Sequence, residues 1–145
     1  MLADTTDSRK GHDGCKWKCC QDTGADFALV AGVVYLVVGV VGFLFTGFDN
    51  FAAESGDTLI VFGVNPLHNI VHILVGALWV GGARSPAGAK SVNTLIGVVY
   101  LALGVLGIFV GDSLFGFINH NAADWVLHLV SGGASLYFGT KGSGA

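Results

Sequence analysis

Charge is what this chain has least of. Asp, Glu, Lys and Arg together make up 12% of its 145 residues, about half the share of a typical soluble domain. The polar ends hold many of those charges, so the middle of the chain is nearly uncharged. A water-soluble domain needs the polar surface that is missing here, and its absence points to lipid. Arginine is absent from every long apolar run, which removes the usual clamp for phosphate or carboxylate. No nucleophile–base pair, phosphate loop or carboxylate dyad is legible, which speaks against an enzyme. The seven basic residues form no nucleic-acid-binding stripe, and the net charge of -3 adds nothing in that direction.

What the chain does have is apolar length. Hydrophobic residues make up 52% of it and mean hydropathy is +0.67. Four segments stand out, at about 26–46, 66–82, 91–111 and 122–140. Each approaches the ~20 residues that cross a hydrocarbon core of ~30 Å as a helix. Helices satisfy their own backbone hydrogen bonds in lipid. A closed barrel would show short alternating strands, whereas these runs are apolar on all faces. The expected fold class is therefore all-α, an integral membrane four-helix bundle lodged in the lipid bilayer. The expected organisation is a polar tail at 1–25 with no fixed structure, a four-span domain at 26–140 and a flexible end at 141–145.

The basic residues set an expected orientation. Arg9, Lys10, Lys16 and Lys18 precede the first span, Arg84 and Lys90 lie between the second and third, and Lys141 follows the fourth. The two opposite loops hold Asp49, Glu54, Asp57 and Asp112 but no Lys or Arg. All seven cations thus fall on one side, which places both termini in the cytoplasm. The first span is too long for a cleaved signal peptide and lacks a small-x-small cleavage site, so it reads as a signal anchor.

An internal repeat runs through the chain. Gly32-Val33-Val34-Tyr35-Leu36 recurs as Gly97-Val98-Val99-Tyr100-Leu101, and the match continues at Gly39/Gly104 and Gly42/Gly107. Aligning His72 with His128 also pairs Asn65 with Asn121, His68 with Asp124 and Gly76 with Gly132. The repeats cover about 26–82 and 91–140. Two helices per repeat give both copies one orientation, related by a pseudo-two-fold axis along the membrane normal. Gly32, Tyr35, Gly39 and Gly42 fall on one helical stripe, matched by Gly97, Tyr100, Gly104 and Gly107. Small residues let membrane helices approach closely, so these stripes read as packing surface before they read as room for a flat cofactor.

Ionisable groups inside a bilayer are costly and point into the bundle. Asn65 before Pro66 reads as an N-cap with proline at the first helical position, and Asn121 can cap the fourth helix likewise. His72 and His128 then lie roughly 10 Å inside the outer helix ends. The expected cluster is His68, His72, Asp124 and His128, with Asn69, Tyr35 and Tyr100 close by.

Three readings of this cluster stay open. The histidines can fix helix interfaces through hydrogen bonds that average only ~0.6 kcal/mol yet specify register. His68, His72, Asp124 and His128 can hold a divalent metal such as zinc, or His72 and His128 a b-type haem. The H-E-x-x-H signature is absent, because Asn69 follows His68. The same groups can also relay a proton or bind a small solute, with Asp124 favouring a charged histidine. A bundle this small would transport only as an oligomer. His120 is expected in the outer loop as a solvated residue.

His12, Cys15, Cys19 and Cys20 cluster before the first span, and these are all the cysteines of the chain. Their side of the membrane is reducing, which speaks against a structural disulfide. The H-x2-C-x3-C-C spacing lacks a second separated ligand pair, and thiols so near a membrane helix are also S-acylation candidates.

The string Val64-Asn65-Pro66-Leu67-His68-Asn69-Ile70-Val71-His72-Ile73-Leu74-Val75-Gly76 resembles the hallmark of a bacterial membrane family, domain of unknown function 4383. Asn121-Ala122-Ala123-Asp124-Trp125-Val126-Leu127-His128-Leu129 resembles its second motif. The resemblance covers about 26–139 and implies four membrane helices without an assigned activity. It also implies an Asn in many members where this chain has Trp125. The sequence thus leads to a structural or interaction protein of the cell membrane, partnered by itself or another membrane protein. Metal or haem binding, or proton and solute handling, stands as the alternative.

Overall fold

A computed structural model describes residues 22–52, 58–111, 113–116 and 118–141. The tail with His12 and the three cysteines lies outside the described residues, as do 142–145. Four helices carry the fold: α1 (Thr23–Thr46), α2 (Pro66–Gly82), α3 (Pro86–Val110) and α4 (Ala122–Lys141). The fold class is all-α, and α1 and α3 are long and apolar enough by length and composition to cross a membrane. Two small antiparallel ladders interrupt the loops. β1 (Thr58–Leu59) pairs with β2 (Phe62–Gly63), and β3 (Ser113–Leu114) with β4 (Ile118–Asn119).

Local chemistry sets the helix ends. Asp22 accepts from the amides of Gly24 and Ala25 at 3.0 and 3.2 Å, so α1 starts three residues before the apolar run begins. Ser85 caps α3 by accepting from the Gly88 amide at 3.1 Å, with Pro86 at the first helical position. Pro suits that position because the missing N–H would have no helical partner. The third helix accordingly begins ahead of its expected start at Ser91, and Lys90 sits on its first turns instead of in the loop. Gly47 and Gly111 end α1 and α3 at φ 60° and 79°, a left-handed backbone that disfavours side chains.

Packing is closest within α1–α2 and within α3–α4. A Cβ on Gly32 would stand 2.8 Å from the Gly76 carbonyl oxygen, and one on Gly76 would stand 2.8 Å from that of Gly32. A Cβ on Gly97 would stand 2.6 Å from the Leu136 amide nitrogen. Both pairs therefore meet backbone to backbone. The short connection Ala83–Ser85 makes α2 and α3 antiparallel neighbours.

Polar side chains share the interior with apolar ones, and many large apolar side chains are exposed. Among the described residues, nine polar or charged side chains are buried against eight hydrophobic ones. Valine, leucine, isoleucine and phenylalanine line the outside, with Val30 64%, Leu44 83% and Phe109 80% exposed. The buried aromatic centre consists of Tyr35, Trp79 and Tyr100, with ring centroids 4.9 Å apart for Tyr35–Trp79 and 6.0 Å for Trp79–Tyr100.

Candidate functional site

The site begins with the caps of α2 and α4. Asn65 accepts from the His68 amide at 2.8 Å, which satisfies one of the helix's free N–H groups. Asn121 accepts from the amides of Ala123 and Asp124, while the Asp124 carboxylate accepts back from the Asn121 amide at 2.9 Å. That reciprocal arrangement is a capping box with Asp in the place of Glu. His68 and Asp124 are both third residues of their helices, and both reach the same loop residue. The His68 Nδ1–H donates to the Gly63 carbonyl at 2.9 Å, and the Gly63 amide donates to Asp124 Oδ2 at 3.0 Å. A donor on one helix and an acceptor on the other match the two polar groups of one peptide residue. Asn121 adds a bond from its side-chain amide to the Val61 carbonyl at 2.8 Å. The β1–β2 hairpin is thereby fastened across the N-terminal ends of α2 and α4.

One turn further in, the His72 Nδ1–H donates to the His68 carbonyl at 3.1 Å. In the neutral ring this leaves Nε2 as the lone-pair nitrogen. His72 stacks on Tyr35 at 5.0 Å, Tyr35 meets Tyr100 at 5.8 Å, and Tyr100 meets His128 at 4.8 Å. His68 extends the row beyond His72 at 4.6 Å, and His120 extends it beyond His128 at 5.1 Å. The Tyr35 hydroxyl donates to Ser131 Oγ at 3.4 Å, and Ser131 donates to the Leu127 carbonyl at 2.6 Å.

His120 corrects an expectation. Placed in solvent by the sequence reading, it is fully buried, with Nε2 3.2 Å from His128 Nδ1. It occupies the position before the N-cap, where a residue folds back onto the first turns of its helix. Gly107 gives it room, since a Cβ there would stand 2.7 Å from His120 Cε1. The signal was present: His120 aligns with Val64, and both positions are buried.

Asn69 and Trp125 hold matching positions against matching glycines, Gly42 and Gly107. The Asn69 amide donates to Thr46 Oγ1 at 2.9 Å, while its Oδ1 and the Trp125 Nε1 are buried without hydrogen-bond partners among the described residues.

At the opposite end lies a polar knot that the sequence reading passed over. Asn93, fully buried, accepts from Trp79 Nε1 at 3.0 Å and donates to the Gly24 carbonyl at 2.8 Å. Its backbone carbonyl accepts from Ser135 Oγ at 2.8 Å. One asparagine thus joins all four helices. Its presence as an amide inside an apolar run was the available signal.

Among the described residues, no group of three His, Cys, Asp or Glu side chains is gathered in a way that could hold a metal ion. His68 and Asp124 are engaged with Gly63, and His128 is engaged with His120. His72 and Asp124 instead share the wall of a cavity of about 220 Å³, whose remaining lining is almost wholly apolar.

A family model described as Domain of unknown function (DUF4383) matches residues 26–141, and the chain belongs to that family. No curated protein and no solved structure matches it significantly.

Proposed function

We propose that the chain is a four-span integral membrane protein, built of two like-oriented hairpins with both termini in the cytoplasm. Its role on this reading is structural or interactive. The observation that carries the membrane assignment is the inverted surface, with polar groups inside and large aliphatic and aromatic groups outside. An exposed apolar patch beyond a few hundred Å² marks a protein or membrane contact on a soluble protein. Here such side chains occur along every helix. The length of α1 and α3 and the apolar 17 residues of α2 support the same reading. At 1.5 Å per residue, α2 covers only about 25 Å, so it crosses with little tilt.

Equivalent contacts support the duplication. Trp79 and Ser135, aligned in the repeat, both bind Asn93. His68 and Asp124, also aligned, both bind Gly63. His72 and His128 meet other helices by ring contact, with Tyr35 and Tyr100 respectively, and ring nitrogens of His68 and His128 are spent on Gly63 and His120, which favours the interface reading of the histidines over the metal and haem readings.

Alkaline carbonate washing of membranes from cells expressing the chain tests the assignment. Retention in the washed pellet and release by detergent is the expected result. Release into the carbonate supernatant would refute the spanning reading.

A further inference from the structure

The cavity beside His72 has the features of a binding site. Val34, Val38, Leu59 and Leu127 supply apolar walls from α1, the β1–β2 hairpin and α4. Tyr35, His72 and Asp124 stand among them. The rim includes Val34 and Ile60, which are 51% and 85% exposed, so the cavity opens at the outer surface of the helices. On the four-span reading, on which the route of entry rests, that opening faces lipid.

Two acceptors in this cavity are unused. Asp124 is 2% exposed, and both of its bonds, to the amides of Gly63 and Asn121, fall on Oδ2. Among the described residues, its Oδ1 has no hydrogen-bond partner. His72 is 8% exposed and spends Nδ1–H on the His68 carbonyl, which leaves the Nε2 lone pair. A buried polar group without a partner costs free energy that a bound donor can recover. Both atoms accept, and among the described residues no Lys or Arg lines the cavity. An anionic headgroup would meet the Asp124 carboxylate with no cation to offset it, whereas an ammonium group would meet a charge-matched acceptor.

We propose that this cavity binds a small lipophilic amine, with its ammonium on Asp124 Oδ1 and His72 Nε2 and its apolar body against Val34, Val38 and Leu127. The volume of about 220 Å³ fits a single ring, since an apolar cavity of about 150 Å³ accommodates benzene. The narrowness excludes a multi-ring cofactor and leaves any longer apolar tail to lie in the bilayer through the rim.

The test uses the full chain in lipid nanodiscs, titrated with benzylamine by calorimetry against empty nanodiscs. Toluene and phenylacetate serve as ligands of similar body without the cationic head. Saturable benzylamine binding is expected, with toluene about tenfold weaker, as for loss of one charge-assisted hydrogen bond, and phenylacetate not binding. Val38→Trp should fill the cavity and abolish binding with helix content unchanged. Asp124→Asn should weaken benzylamine about tenfold and leave toluene unchanged. Absence of saturable binding by the folded wild-type chain would overturn the proposal, as would equal affinity for phenylacetate or undiminished binding by Val38→Trp. The ligand ranking on wild type needs no variant to fold. Carbonate retention is read independently, so failure of the binding and failure of the membrane reading are distinguishable.

Discussion

Asn93 offers the sharpest quantitative test of how the four helices are joined. Replacing it with Ala removes a bond to Trp79 Nε1 and a bond to the Gly24 carbonyl, and spares the backbone carbonyl that accepts from Ser135. On the four-span reading, polar contacts between membrane helices average about 0.6 kcal/mol each, so two lost bonds cost about 1.2 kcal/mol. The Trp79 ring is fully buried, and its orphaned N–H adds up to about 1–3 kcal/mol if neither water nor another group reaches it. The expected destabilisation of Asn93→Ala is therefore about 1–4 kcal/mol. Unfolding by sodium dodecyl sulfate in mixed micelles, followed by far-UV circular dichroism, measures it.

A double-mutant cycle separates the bond from the packing. Trp79→Phe removes the donor, so Asn93→Ala should cost less in that background, by about 0.6–1.7 kcal/mol. Single effects that add to within about 0.3 kcal/mol would show no coupling and would refute the assigned bond.

Two further outcomes follow from the packing and the caps. Gly97→Ala should lower stability by about 1–3 kcal/mol, because its Cβ would meet the Leu136 backbone at 2.6 Å. Gly133→Ala, where a Cβ meets nothing within 4 Å, should be neutral or stabilising by up to about 1 kcal/mol. The same detergent titration compares them, and equal effects would contradict the packing. Asp124→Ala should free the Gly63 amide and speed its hydrogen exchange at least about tenfold, and Asp124→Asn, which retains an acceptor, should do so less. An unchanged exchange rate at Gly63 would refute the bridge.

The number and approximate position of the helices were legible because apolar length is a property of composition. Start points were less so. The apolar run suggested Ser91 for α3, while Ser85-Pro86 set the start earlier by capping chemistry. The glycine stripes and the histidine positions could be read from spacing, since a helical period fixes which residues share a face. Their partners could not. Gly63 lies in a loop that carries no periodic signal, and its role exists only because His68 of α2 and Asp124 of α4 converge on it. Ile60 enters the hairpin turn at φ 63°, a conformation that a β-branched residue seldom announces in sequence. His120 looked solvated because it lies outside every apolar run, yet stacking on His128 and the absent side chain of Gly107 draw it inside. Asn93 was overlooked for the opposite reason. A single amide within an apolar helix is inconspicuous until its three partners are seen.

The most direct measurement uses the cysteines of the chain itself, all three of which precede residue 21. Intact spheroplasts expressing the protein are treated with a membrane-impermeant maleimide, alongside a cysteine-free version carrying Asp49→Cys in the first outer loop. The four-span arrangement with cytoplasmic termini requires that the native cysteines react only after permeabilisation, and that Asp49→Cys reacts in intact cells. Labelling of the native cysteines in intact cells together with protection of Asp49→Cys would invert the topology. Labelling of both, or of neither, in intact cells would contradict a membrane crossing between them.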